Sequence, residues 1–291
     1  MKRAVSAPAK INLALHVTGR RSDGYHLLDT LVIFTKFGDR VSVGPAERDE
    51  FIASGPFADA VPLDTSNLVL RARDLLRAHF PRAGGPVRIA LEKNLPAASG
   101  IGGGSSDAAA ALKALAGLWN IDIADEELAR LALPLGADLP MCVAARPLLA
   151  KGIGEEIVPV ERLPALPILL VNPRVPVPTP EVFRRLASRE NPPLPPLPPR
   201  PDVAALVGWL QNTRNDLEAP AAEAAPVILD VLSAIRRNGA AFARMSGSGA
   251  TCFGIFGTAA EAEKAATRIA ADRPGWWAVA TQSSEARNAR N

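Results

Sequence analysis

The stretch LPAASGIGGGSSDAAAALKALAGLW, Leu95 to Trp119, sets a glycine-rich turn directly in front of a helical pattern. Gly100, Gly102, Gly103 and Gly104 can adopt backbone angles closed to other residues, and that freedom lets main-chain N–H groups approach an anion. Ser105, Ser106 and Asp107 supply side chains suited to a helix start. From Ala108 onward the apolar positions Ala108, Leu112, Leu115, Ala116 and Trp119 recur at helical spacing. This predicts a strongly amphipathic helix whose first N–H groups and dipole favour negative charge. The run therefore reads as a phosphate-holding loop. The competing reading, a flexible connection before a core helix, leaves the density of glycines and hydroxyls without a purpose.

Two common phosphate motifs do not fit. A Walker A loop needs Gly-Lys-Ser/Thr after its first glycine, and the first lysine here is Lys113, well inside the helix. A dinucleotide fingerprint needs a strand feeding straight into GxGxxG. The strand-like Val87–Leu91 is instead separated from Gly100 by Pro96, Ala97, Ala98 and Ser99, and the third glycine is absent. Asp122, at the spacing of a ribose carboxylate, leaves a dinucleotide reading open as the weaker alternative.

Outward from this run the chain alternates helix and strand signals, an α+β pattern. In the segment Lys10 to Val17, Ile11, Leu13, Leu15 and Val17 face one way and Lys10, Asn12 and His16 the other. Asp125 to Leu133, acidic in its first turn and closed by Pro134, reads as a short helix, followed by a loop Gly136-Ala-Asp-Leu-Pro140. Leu166 to Val171 reads as a buried strand and Asn191 to Pro201 as an extended proline-rich surface loop. Further on come a helix with Ile228, Val231, Leu232 and Ile235 on one face, ending at Gly239, and a strand Thr251–Phe256. A helix opened by a Thr258/Glu261 capping box and a strand Trp276–Thr281 complete the pattern. These last elements predict a split βαβ layer with helices on one face of an antiparallel sheet. Met245 to Phe253, between a helix and a strand, is a second glycine and hydroxyl cluster. Ser284 to Asn291 reads as a polar, frayed end. Taken singly, Lys10 at a strand start reads as a solvated lysine, and Asp138 is as suited to bracing a turn as to chemistry.

With 291 residues, 48% of them hydrophobic, the chain is long enough for two domains. A net charge of +3 and the lack of a dense basic tract argue against nucleic acid as a partner. Met1-Lys-Arg is followed by Lys10 and Asn12 before any apolar core develops, and no run approaches membrane-spanning length, so the expectation is a soluble cytoplasmic protein with no membrane partner. Two cysteines, Cys142 and Cys252, and three histidines draw neither a disulfide framework nor a metal cluster. Both cysteines read as packing residues.

Three ordered segments resemble the motifs of the GHMP small-molecule kinases: Ala7-Pro-Ala-Lys-Ile-Asn-Leu13, Pro96-Ala-Ala-Ser-Gly-Ile-Gly-Gly-Gly-Ser-Ser106 and Ser246-Gly-Ser-Gly-Ala250. Four more narrow the likeness to the branch whose acceptor is a cytidylated methylerythritol of the non-mevalonate isoprenoid route. They are Gly19-Arg-Arg-Ser-Asp-Gly-Tyr-His26, Gly136–Pro140, Pro178-Thr-Pro-Glu-Val-Phe183 and Asn215-Asp-Leu-Glu218. The resemblance spans nearly the whole chain. It departs at Ala97, Ala98 and Ser99, where many members carry glycine.

The resemblance implies an N-terminal α/β nucleotide domain over residues 1–158, a C-terminal ferredoxin-like domain over 159–285, an active site in the cleft between them, and a polar tail at 286–291. It implies ATP and Mg²⁺ as cofactors and a small cytidylated polyol as substrate. Asp138 would accept the proton of the acceptor hydroxyl, with Lys10 beside it to keep the carboxylate ionised. The nucleotide would lie on Pro96, Ala97, Ala98, Ser99, Gly100, Ile101, Gly102, Gly103, Gly104, Ser105 and Ser106, with contributions from Asn67 and Lys93. Tyr25, His26 and Phe183 would enclose the cytosine, and Asn12, Ile153, Ser246, Gly247, Ser248 and Gly249 would complete the substrate site. No residue is assigned to the metal. Another GHMP kinase, acting on mevalonate, homoserine or a sugar, and a nucleotide-binding protein without catalysis are the alternatives.

Overall fold

In the computed structural model, which describes residues 2–284, the chain forms two compact units that interleave in sequence. One comprises residues 2–9, 37–97 and 102–145, the other 10–36, 98–101 and 146–284. The polar stretch after Ser284, including the tail at 286–291, lies outside the described residues.

Strands β1 (Arg3–Arg20) and β2 (His26–Pro45) pair with each other, and each contributes residues to both units. In the first unit the far end of β2 carries β4 (Val87–Glu92) antiparallel, from Arg40 opposite Glu92 to Pro45 opposite Val87. Strand β3 (Glu50–Ser54) adds to β4 in parallel. Helix α1 (Leu68–His79) packs on α2 (Gly103–Leu118), and α3 (Asp125–Ala132) and α2 pack on α4 (Leu139–Ala144).

In the second unit β5 (Leu148–Gly152) pairs antiparallel with the near end of β2 and with β6 (Glu156–Pro159). The remainder runs β7 (Pro167–Asn172), α5 (Thr179–Arg184), α6 (Val203–Gln211), α7 (Glu218–Ala224), α8 (Val227–Arg237), β8 (Phe242–Met245), β9 (Cys252–Ile255), α9 (Ala259–Asp272) and β10 (Trp277–Gln282). The order β10-β7-β9-β8, antiparallel throughout, with α8 and α9 packed on the sheet and on each other, is the expected split βαβ layer of ferredoxin-like type. Ile228, Val231, Leu232 and Ile235 of α8 and Ala262, Ala265 and Ile269 of α9 are buried in its core. The Thr258–Glu261 capping box opens α9, with both reciprocal bonds made.

Several expectations need correcting. Helix α2 begins at Gly103, well before Ala108, because Gly102 takes the left-handed conformation (φ 64°) that caps it. It is buried nearly all round rather than amphipathic, since its small alanines let neighbouring helices close on every side. Lys10 is not solvated: β1 is covered on both faces over its middle, leaving Lys10, Asn12 and His16 at 4%, 2% and 1% exposure. The Met245–Phe253 segment lies between two strands, because β8 intervenes after the helix. Pro140 belongs to the first turn of α4 rather than to a loop, a place where proline lacks no needed donor. The proline-rich segment is irregular but tied down: His16 Nδ1–H donates to the Pro192 carbonyl at 2.9 Å, and the Asn191 N–H donates to the Val17 carbonyl at 3.1 Å. Both cysteines are buried and neither forms a disulfide, as expected of packing residues.

Candidate active site

The glycine-rich run is divided between the two units: residues 98–101 belong to the second and the flanking residues to the first. In the first, β4 ends at Glu92 and the chain turns through Lys93 toward the run. The Lys93 ammonium is buried and donates to Asp39 Oδ2 at 2.5 Å and Asp107 Oδ2 at 2.6 Å. Asp39 Oδ1 in turn accepts from the backbone N–H groups of Asn94 (2.5 Å) and Leu95 (2.8 Å). This triad ties the strand exit to the second turn of α2. Burial alone would push the Lys93 pKa down, but Asp107 and Asp39 more than reverse that, and it ends above its ordinary value. Burial drives the Asp107 carboxyl up to about 8, against the pull of Lys93, because one ammonium serves two carboxylates. Directly above it Gly103, Gly104, Ser105 and Ser106 open the helix, and a Cβ at Gly103 would stand 3.1 Å from Lys93 Nζ. The N–H groups of Gly103, Gly104 and Ser105 are the first-turn donors of a helix start, while the Ser106 N–H donates to the Gly102 carbonyl at 2.8 Å.

Asn67 is the N-cap of α1: its Oδ1 accepts from the Val69 N–H at 2.8 Å and its amide donates to the Pro62 carbonyl at 2.7 Å. Pro96 is buried and Ala97 exposed. Asp138, half-buried, is the N-cap residue of α4, with its carbonyl accepting from Cys142 N–H.

In the second unit, Ala98 to Ile101 meet the loop after β8. Ala98 is left-handed (φ 47°), a conformation that glycine takes without strain, which gives the departure from the family's glycine a measurable consequence. The Lys10 N–H donates to the Ile101 carbonyl (2.9 Å) and the Thr251 N–H to the Ser99 carbonyl (3.1 Å). The Ser246 hydroxyl accepts from the Asn12 N–H (3.1 Å) and donates to the Gly100 carbonyl (3.0 Å). The approach is so close that a Cβ on Gly100 would lie 2.7 Å from the Gly249 nitrogen, and one on Gly247 2.7 Å from the Gly100 oxygen. Asn12 donates its amide to Thr30 Oγ1 at 2.9 Å, while its Oδ1 is buried without a hydrogen-bond partner among the described residues.

Helix α5 joins the remaining candidates. Thr179 and Ser248 share a hydroxyl hydrogen bond of 2.7 Å. One turn on, Phe183 stacks on His26 with ring centroids 4.6 Å apart and planes 24° off parallel. His26 Nε2 is buried with no partner among the described residues. Burial, with help from the nearby Arg20 and Arg189 charges, lowers the His26 pKa, favouring the neutral imidazole. The adjacent Tyr25 is 57% exposed. Ile153 sits in the β5–β6 turn, its N–H donating to Glu155 Oε2 at 2.6 Å.

Sequence reasoning gave no role to Asp39 or Thr30 and no contact to Thr179, Asn215 or Glu218. Their long-range side-chain partners lie 16 to 69 residues away in sequence, which leaves no local signal. Asp107 was noted only as a helix-start residue. Among the described residues no three His, Cys, Asp or Glu side chains are grouped to hold a metal ion, and no helix is long and apolar enough to cross a membrane.

The model of the GHMP kinases N terminal domain matches residues 67–146, and that of the GHMP kinases C terminal domain matches 200–274. A protein of Chelativorans sp. (strain BNC1) named 4-diphosphocytidyl-2-C-methyl-D-erythritol kinase is 58% identical over 284 residues, 97% of each chain. A protein of the same name from Brucella melitensis is 56% identical over 285 residues, 97% of this chain and 95% of that one. The crystal structure of a 4-(cytidine 5'-diphospho)-2C-methyl-D-erythritol kinase superposes with a TM-score of 0.79 at 36% identity, covering 98% of this chain and 99% of the other. A homoserine kinase structure from Cytophaga hutchinsonii, at 18% identity and a TM-score of 0.68 over 98% of this chain and 95% of its own, shares the fold. The α+β fold, the two matched domains and the extent of identity make this chain a member of the GHMP kinase family, in its 4-diphosphocytidyl-2-C-methyl-D-erythritol kinase branch.

Proposed function

We propose that the protein transfers the γ-phosphoryl group of ATP to the 2-hydroxyl of 4-diphosphocytidyl-2-C-methyl-D-erythritol, as a soluble cytoplasmic enzyme of the non-mevalonate isoprenoid route. The observation that carries the choice of substrate is the His26–Phe183 stack, with an unpartnered imidazole nitrogen at its edge and Tyr25 next in the chain. Phe183 covers one face of the His26 ring, so a flat base would stack on an outer face rather than between the two, and a neutral imidazole nitrogen suits the hydrogen-bonding edge of cytosine. Mevalonate and homoserine have no ring to place there.

The acceptor oxygen attacks the γ-phosphorus, the bond from that phosphorus to the ADP oxygen breaks, and the hydroxyl proton passes to the Asp138 carboxylate. Lys10 supplies positive charge that polarises the acceptor hydroxyl. The run Pro96 to Ser106 holds the triphosphate through its N–H groups, with Asn67 and Lys93 contributing from the flanking elements. Asn12, Ile153 and Ser246 to Gly249 position the acceptor. The domains we assign run over 1–158 and 159–285. Mg²⁺, when bound, neutralises phosphate charge.

The test compares acceptors. With Mg²⁺-ATP, ADP release is expected with the cytidylated alcohol and not with mevalonate or homoserine. Tyr25→Ala is expected to raise the KM for the cytidylated alcohol about tenfold while the KM for ATP stays put. Turnover with another alcohol alone would retain the kinase and overturn the cytosine pocket.

A further inference from the structure

The segment Asn215-Asp-Leu-Glu218 has no part in the chemistry above, yet its side chains converge on one place. Asn215 is buried, and its amide donates to two carbonyls of the loop after β8: Met245 at 2.9 Å and Gly247 at 2.8 Å. Its Oδ1 accepts from the Leu217 N–H at 3.0 Å, which fixes the amide's orientation so that the NH₂ faces the loop. Glu218 Oε2 accepts from the Met245 N–H at 2.8 Å, so both the donor and the acceptor of Met245 are held by this one segment. The segment itself is anchored to β1. Leu15 N–H donates to the Arg214 carbonyl (2.9 Å), Asp216 N–H to the Leu15 carbonyl (2.9 Å), and Asp216 Oδ2 accepts from Val17 N–H (2.7 Å). Arg244, facing Glu218, is buried and donates to the carbonyls of Leu13, Leu210 and Thr213 and to the Thr213 hydroxyl.

The loop so held contains Ser246, which bridges the Asn12 N–H and the Gly100 carbonyl, and Ser248, which meets Thr179 on α5. Gly247 and Gly249 are both left-handed, at φ 55° and 88°. A loop with two such residues has many accessible shapes, and its own bonds, Ser246 N–H to Thr251 and Gly249 N–H to Ser246, leave the Gly247 carbonyl to an outside donor.

We infer that Asn215 and Glu218 are positioning residues: by gripping Met245 on both sides and Gly247 by its carbonyl, they select the one loop shape in which Ser246 reaches Gly100 and Asn12. This rests on the loop being part of the acceptor site, and its test separates the two. Asn215→Asp keeps the size and removes the donor; Asn215→Ala covers the case in which the carboxylate prevents folding. In whichever variant shows a cooperative thermal transition, the amides of Ser246, Gly249 and Thr251 are expected to exchange faster while those of α9 stay protected. That readout needs no substrate.

In the same variant the KM for the cytidylated alcohol is expected to rise about tenfold to hundredfold, as for the loss of two hydrogen bonds. A purely structural role would lower the active fraction, hence the apparent kcat, and leave KM where it was. Glu218→Ala is expected to raise the same KM, and Glu218→Gln, which keeps an acceptor for the Met245 N–H, to restore most of it. Unchanged loop exchange together with unchanged KM, in a wild-type enzyme that does turn over, would overturn the inference. Absence of wild-type turnover would instead strike the functional reading, leaving the exchange result to judge the clamp.

Discussion

Residues 98–101 and 102–107 are adjacent in one glycine-rich run, yet they are fixed by different forces. The first group is held by neutral backbone hydrogen bonds and by contacts too close for a side chain, with the Ser246 hydroxyl as a side-chain bridge. The second opens a helix seated over a buried ion triad, in which Lys93 serves Asp39 and Asp107 together. The first arrangement depends on shape and is indifferent to pH. The second depends on one ammonium shared by two carboxyl groups, one of which, Asp107, is pushed up to about 8 by burial, so a change of one proton alters it. One continuous run is thus made rigid by shape at its entry and by charge at its exit.

Substitutions can break this contrast. The largest effect is expected for Lys93→Met, which leaves the buried carboxyl groups of Asp39 and Asp107 without their cation and should cost about 3–5 kcal/mol in urea unfolding. A loss under about 1 kcal/mol would mean that charge does not hold the helical half. Gly100→Ala should cost about 1–3 kcal/mol, because its methyl group would meet the backbone of Ser246 and Gly249 at a position with φ 76°. That loss should be the same at pH 6 and pH 9, as no titrating group is in the contact.

Asp107→Asn sharpens the contrast through pH. The Asp107 carboxyl titrates near 8 in the folded protein against 3.8 ordinarily, so between those values the native state keeps a proton that the unfolded chain releases. Stability should therefore fall as pH rises through that window and level off above it, and the asparagine variant should lose this slope. Parallel wild-type and variant curves from pH 5 to 9 would contradict the charge account. The smallest effect is expected for Ser246→Ala, about 1 kcal/mol for the bridge between Asn12 and Gly100, with no pH dependence.

Much of this was legible where the signal was local. The Thr258–Glu261 box, the buried face of α8 and the glycine run itself each lie within one or two helical turns, and the ferredoxin-like layer followed from their order. Strand β2 was not read, because over twenty residues it is buried on both faces in its middle and lacks alternation. Strand β8, four residues long, is too short for a period to appear. The start of α2 was misjudged because glycines count against a helix until one knows that Gly102 caps it. Lys10 and Lys93 were the clearest tertiary overrides. Nothing near them in sequence says that both are buried, or that Asp39, 54 residues away, waits for Lys93. At the site, motif resemblance named the residues and the contacts explained a few of them: the Ser246 bridge, the α5 link from Ser248 to His26, and the support beneath Gly103.

The most direct test is ADP release with Mg²⁺-ATP and 4-diphosphocytidyl-2-C-methyl-D-erythritol, run on the wild type and on Asp138→Asn, with the phosphorylated product identified by mass. The account predicts stoichiometric ADP and monophosphorylated product from the wild type, and a rate lower by about 10²- to 10⁴-fold in a variant that still folds and binds ATP. Equal rates in the two proteins would remove Asp138 from the reaction, and a wild type that binds ATP yet phosphorylates nothing would contradict the account as a whole.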